Sequence, residues 1–226
     1  MFDENKAFRE IELLGGEARE IEWKKFHLTI PHTVYPPKED TELLATVLEN
    51  ITPFGKRRLL EIGSGSGALS ILAASMGWEV EACDINPFAA AATKFNALEN
   101  GLDIISSEGG IGPAVDGHHT QWMKPGTYDL VVWNMPYIPA SEIEEYLGPM
   151  EDAALVDTHP SGLLNEFAEM TRRFQLISPT GIALVLCREL VNSHRAQNVL
   201  LAKGLASQRI SKLTFDDGET IQVLAV

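Results

Sequence analysis

Apolar and polar positions divide the chain into short buried runs and longer stretches of helical spacing. Residues 59–62, 80–85, 104–107, 130–133 and 181–187 are compact apolar runs, the form taken by strands covered on both faces. Between them, residues 68–76, 87–100 and 163–177 have the length and periodicity of helices. Ahead of the first strand, Leu43, Leu44, Val47 and Leu48 recur at helical spacing over 41–50, with Pro36 and Pro37 before them and Asp40 or Thr41 placed to cap. A last helix, about 192–203, leads into strand-like segments at 207–215 and 220–226. Asp216-Asp217-Gly218 joins these two as a turn, which predicts an antiparallel hairpin.

Strands alternating with helices build a parallel sheet covered on both faces. The expected fold class is therefore α/β: a Rossmann-like, doubly wound, mostly parallel seven-stranded sheet with an antiparallel C-terminal hairpin strand. Residues 34–226 form this domain. Residues 1–33, dense in charge and short in hydrophobic pattern, are expected as an N-terminal appendage of short strands or helix. Within it, 19–30 alternates loosely after Gly15-Gly16 and predicts a hairpin, while 8–14 fits a helix equally well.

Composition narrows the function. With 45% hydrophobic and 22% charged residues, the 226-residue chain is too apolar to remain disordered, and it carries 18 Lys and Arg against 32 Asp and Glu, a net charge of −14. Such a field repels phosphate, so general nucleic-acid binding is disfavoured. The basic residues are scattered pairs: Lys24-Lys25, Arg57-Arg58 and Arg172-Arg173. The longest wholly apolar run, 182–187, is far short of the roughly 18 residues of a membrane span, and Met1-Phe2-Asp3-Glu4 does not open a signal peptide. A cytoplasmic location without membrane association is expected. Cys83 and Cys187 are too few for a disulfide framework or a zinc site, the six histidines show no metal spacing, and no metal is expected.

Ligands of doubly wound sheets bind outside the carboxyl ends of the strands. Glu61, Asp84, Glu108 and Asn134 all fall there, each one helix and one strand after the last. The first strand runs into Glu61-Ile62-Gly63-Ser64-Gly65-Ser66-Gly67, a glycine-rich turn that opens a helix and lets a ligand approach the backbone. Gly63, Gly65 and Ala68 fit the dinucleotide fingerprint loosely. However, the acid two positions before the first glycine suits a ligand bearing a cation, and the tighter glycine spacing is that of S-adenosylmethionine sites. Asp84 is placed to accept bonds from ribose hydroxyls, and Ser107 and Glu108 would lie beside the adenine.

The fourth strand ends Asp129-Leu130-Val131-Val132-Trp133-Asn134-Met135-Pro136-Tyr137. This resembles the Asn-Pro-Pro-Tyr signature of methyltransferases acting on planar, weakly nucleophilic nitrogens. Together with Val34-Tyr35-Pro36-Pro37-Lys38-Glu39-Asp40-Thr41-Glu42, it is similar to the HemK/PrmC-type protein-glutamine N5-methyltransferases. The resemblance spans about 19–226 and is stronger to the short eukaryotic and archaeal branch. It implies S-adenosylmethionine as cofactor, with Tyr35, Asp40, Thr41, Glu61, Gly63, Gly65, Gly67, Asp84, Ile85, Glu108 and Asn134 binding it. It also implies that Asn134, Met135, Pro136 and Tyr137 are the catalytic segment, with the Asn134 side-chain oxygen and the Met135 carbonyl accepting bonds from the target amide.

Two departures stand out: Met135 replaces the first proline of the signature, and Asp157-Thr158-His159-Pro160-Ser161-Gly162 only partly matches the family's Asp- and Gly-rich segment. The implied substrate is the glutamine of the Gly-Gly-Gln loop in a release factor, and relatives of this branch use a small activator subunit. The alternatives are N-methylation of an exocyclic amine in RNA or DNA, a non-catalytic cofactor-binding module, and, more distantly, a dehydrogenase.

Overall fold

The structure is a computed structural model describing residues 18–55, 57–111, 128–143, 149–157, 162–189 and 195–226. The features read at 8–14, 158–161 and 192–194, and the histidines His118, His119 and His194, lie outside those residues. A hairpin of β1 (Arg19–Trp23) and β2 (Phe26–Ile30) comes first, followed by α1 (Glu39–Leu48), β3 (Arg58–Ile62) and α2 (Ala68–Ser75). The chain continues through β4 (Glu79–Asp84), α3 (Pro87–Glu99), β5 (Ile105–Glu108) and β6 (Tyr128–Asn134). A two-residue strand β7 (Ile138–Pro139), helix α4 (Pro149–Leu155) and strand β8 (Val156–Asp157) follow, β7 and β8 pairing with each other. Then come α5 (Leu163–Phe174), β9 (Ile177–Arg188), α6 (Arg195–Ala202), β10 (Gln208–Thr214) and β11 (Thr220–Ala225).

Seven of these strands form one sheet in the order β10-β11-β9-β6-β3-β4-β5. The pairs from β9 to β5 are parallel, and β11 alone runs against its neighbours. Successive strand residues serve opposite faces. Leu59, Leu130 and Val132 enter one buried cluster with α1, α2 and the hairpin residues Trp23, Phe26, Leu28 and Ile30. Leu60, Val131 and Trp133 enter the other with α5 and Leu200 of α6. The sheet is thus covered on both sides, and its carboxyl edge faces the turns after β3, β4 and β6.

Two predicted boundaries move. Helix α1 begins at Glu39 with Lys38 as its cap residue, so neither Asp40 nor Thr41 occupies the cap itself. The Thr41 hydroxyl instead accepts the Lys38 backbone N–H at 3.4 Å, and Glu39, Asp40 and Glu42 put negative charge in the first turn, where the helix dipole favours it. The stretch 163–177, expected to be helical throughout, leaves the helix after Phe174, because Gln175 adopts φ 50° and Ile177 already pairs with Tyr128 in the sheet. Among the described residues no helix is long and apolar enough to cross a membrane.

Candidate active site

Strand β3 delivers Glu61 to the carboxyl edge, and the glycine turn carries the chain over it into α2. Gly67 ends that turn at φ 83°, and a Cβ there would stand 2.9 Å from the Thr93 Cα, so both conformation and space demand glycine. The turn is tied to β4 by its own backbone: the Gly65 N–H donates to one Asp84 carboxylate oxygen at 2.8 Å, and the Asn86 N–H donates to the other at 2.8 Å. Asn86 then caps α3, its side-chain oxygen accepting the Phe88 N–H at 2.9 Å while its amide donates to the Thr33 carbonyl at 2.9 Å. This last bond fixes the segment before α1 to the rim of the site.

Two carboxyl groups lie buried in this edge. Glu61 accepts a short hydrogen bond from the Ser70 hydroxyl, yet burial dominates and lifts its pKa to about 8. Burial also raises Asp84, to about 6, against the opposing pull of its two backbone N–H bonds. Among the described residues neither has a cationic partner. Both therefore gain from a ligand that brings positive charge or hydroxyl donors.

Asn134 closes the edge at the end of β6. Its Nδ2 donates to Asp40 Oδ2 at 3.0 Å, and its buried Oδ1 has no hydrogen-bond partner among the described residues. Amide oxygen and nitrogen look alike by shape alone, but a carboxylate can only accept, so the NH2 must be the half that faces Asp40. A buried acceptor left open is costly unless a ligand fills it. The Thr33 hydroxyl is likewise buried and, among the described residues, unpartnered.

One cleft gathers most of the sequence-predicted residues. Tyr35, Thr41, Glu61, Gly63, Gly65, Asp84, Ile85, Asn134 and Pro136 line it, and Asp40 touches it through Asn134. Gly67 stands behind it as the start of α2. Tyr137 turns instead to a neighbouring groove that it shares with Tyr35 and Asp40, and burial, then the Asp40 charge, raises its pKa. Met135 points its side chain into the core beside Trp133, so the residue that replaces proline is absorbed by packing. Glu108 is placed apart: it ends the edge strand β5, exposed, and does not line the cleft. Sequence reading missed Thr33, Asn86, Gly110, Met150, Ala153 and Ala154, which complete the wall. Only Asn86 left a signal, as a capping residue immediately before Pro87.

Comparison with known proteins places this geometry. The family model described as methyltransferase small domain matches residues 38–148, a span containing Asp40, Glu61, Asp84 and Asn134. Methyltransferase HEMK2 of Homo sapiens is 32% identical over 197 residues, covering 84% of this chain and 88% of that protein. The chain belongs to the HemK-like methyltransferase family. A second HemK-like relative, from Methanocaldococcus jannaschii and named a putative protein N5-glutamine methyltransferase, is 34% identical over 126 residues, 55% of this chain. This chain spans little more than half of that relative's length, 58%. The HemK-like fold reaches distant solved structures too: the M. jannaschii tRNA m1G37 methyltransferase superposes with a TM-score of 0.62 at 14% identity, over 93% of this chain and 54% of the other.

Proposed function

We propose that this protein transfers a methyl group from S-adenosylmethionine to the side-chain amide nitrogen of a protein glutamine, the substrate being a translation release factor. The observation that carries the reading is the acceptor of Asn134, open among the described residues, at the wall of a cleft that also holds two buried carboxyl groups with no cationic partner among those residues. When bound, S-adenosylmethionine supplies an electrophilic methyl on a sulfonium. Glu61 suits the positive charge of that ligand, and Asp84, whose two oxygens are each already oriented by a backbone N–H, suits its ribose hydroxyls. Thr33 and Thr41 add hydroxyls to the same wall.

The chain's own contribution is placement. An amide nitrogen is a poor nucleophile because its lone pair is shared with the carbonyl, and orientation of well-placed reactants is worth about 7–11 kcal/mol. Asn134 Oδ1 and the Met135 carbonyl would accept the two amide hydrogens, fix the plane of the group and stabilise the positive charge that grows on nitrogen. Met135 keeps this role because only its backbone is required, and its position before Pro136 biases that backbone toward extended conformations. Tyr137 would offer a ring face to the same charge.

A protein substrate agrees with the electrostatics. Lys24 pairs with Glu42 and Glu49, Arg57 with Asp129, Arg58 with Glu81, and Arg188 with Glu142 and Glu219, which removes them from phosphate binding. We propose the sheet edge at β5, where Ile105 is 63% exposed beside Leu98 of α3 at 62%, as the face an activator subunit would take. The test is incubation with labelled cofactor, a release factor and total RNA, followed by mass mapping of the product. Label is expected on the release-factor glutamine, and label in RNA alone overturns the reading.

A further inference from the structure

The orientation of Asn134 is not set by Asn134. Its side chain has one hydrogen bond among the described residues, the one that Nδ2 donates to Asp40 Oδ2 at 3.0 Å. Asp40 is itself held: 6% exposed in the first turn of α1, its other oxygen accepts the Thr41 backbone N–H at 2.6 Å and the Thr41 hydroxyl at 3.2 Å. Among the described residues no cation pairs with it. Its charge is nevertheless felt in the site, since after burial it is the next cause that raises the phenol of Tyr35 as well as that of Tyr137.

We infer that Asp40 is the positioning residue that makes Asn134 an acceptor, and thereby restricts the site to substrates that present an N–H donor. This rests on the reading of Asn134 as the residue that receives the target amide. Were the amide of Asn134 turned over, its oxygen would face a carboxylate and its NH2 would face the target's own NH2, two repulsive contacts for two attractive ones. The Thr41 N–H sharpens the requirement. In Asp40→Asn, the new amide must point its oxygen at that fixed backbone donor, which leaves its NH2 toward Asn134. Asn134 then pairs best by turning its own oxygen to Asp40→Asn and its NH2 to the cleft. The isosteric variant thus inverts the site where a merely structural role would leave it intact.

The test uses the full chain with S-adenosylmethionine and a glutamine peptide. Asp40→Asn, assayed at saturating cofactor because Asp40 also belongs to the expected cofactor-binding set, should lose about 100-fold or more in kcat, the scale of losing one transition-state partner. Because both residues act as one unit, Asp40→Asn/Asn134→Ala is expected to be no slower than Asn134→Ala. A kcat of Asp40→Asn within threefold of wild type overturns the inference, and so do losses that multiply in the double variant. The second readout needs no substrate: the Asn134 side-chain amide resonance, held by a charged acceptor in wild type, should shift in Asp40→Ala, and an unmoved resonance overturns the inference. Should wild type itself transfer nothing to the peptide, the substrate reading falls, and the resonance decides the role of Asp40 on its own.

Discussion

A carboxyl group sealed behind the glycine turn must either take a proton or find a cation, and burial tips Glu61 toward the proton. Its pKa rises from 4.5 to about 8 on folding, and that of Asp84 rises from 3.8 to about 6. The folded empty protein therefore binds more protons than the unfolded chain between those limits, and its stability falls as pH rises through them. Melting of the ligand-free protein from pH 5 to pH 8 should show a shallower decline in Glu61→Gln than in wild type; equal slopes would contradict the burial assigned to Glu61. A cationic ligand reverses the preference, so at pH 7 calorimetry in buffers of different ionisation enthalpy should register proton release when S-adenosylmethionine binds. Glu61→Gln should release less. At this scale the strand-end logic was legible for Glu61, Asp84 and Asn134, because a strand's last polar residue can be counted from its apolar run. For Glu108 the count leads elsewhere, since β5 is the edge strand and its end is exposed away from the described cleft wall. The bond between Asp40 and Asn134 joins residues 94 apart in sequence, a distance over which no local pattern reports.

Among the elements, the N-terminal hairpin shows how much of the architecture lies between segments instead of within them. Among the described residues the outer backbone of β2 meets no strand. It meets α3, where Asn96 and Asn100, one helical turn apart, take the place of a strand's peptide groups. Asn96 accepts the Thr29 N–H at 2.9 Å and returns a bond to the Thr29 carbonyl at 3.0 Å, and Asn100 does the same for His27 at 3.2 and 2.8 Å. Asn96 also donates to the Ser66 carbonyl at 2.9 Å, which ties the glycine turn to the same clasp. Asn96→Ala would strand buried groups on both sides and should cost about 2–3 kcal/mol in urea unfolding, together with weaker cofactor binding. A loss below about 0.5 kcal/mol would show that the clasp is dispensable. Periodicity predicted the hairpin and the helix, but the amides that join them read from sequence only as polar residues on a helix. Likewise the end of α5 was hidden, because Gln175 has no compositional mark of the left-handed conformation that stops the helix.

For the molecule as a whole, a net charge of −14 still allows a local basic face if the scattered Lys24, Arg172 and Arg173 converge. The fold keeps them apart. Lys24 sits on the side of the sheet covered by α1, paired with Glu42 and Glu49, whereas Arg172 and Arg173 lie on α5, which packs against the opposite side. Arg172 spends part of its donor capacity on the Lys203 carbonyl at 3.0 Å, and Lys203 is paired with Glu169. Charges separated by the thickness of a covered sheet cannot follow one phosphate backbone, and paired charges release few counterions. Association with RNA, measured from about 50 to 200 mM salt, should accordingly show a log–log slope of magnitude below about 2, where a protein making 6–10 phosphate contacts would lose about 10³–10⁵ in affinity. A slope near −5 or steeper would reveal a phosphate-tracking surface and move the substrate from protein to nucleic acid. The same charge predicts the opposite for a basic protein substrate. Steering by the acidic surface raises its encounter rate, so for a glutamine peptide flanked by Lys and Arg kcat/KM should fall as salt rises while kcat at saturation holds nearly constant.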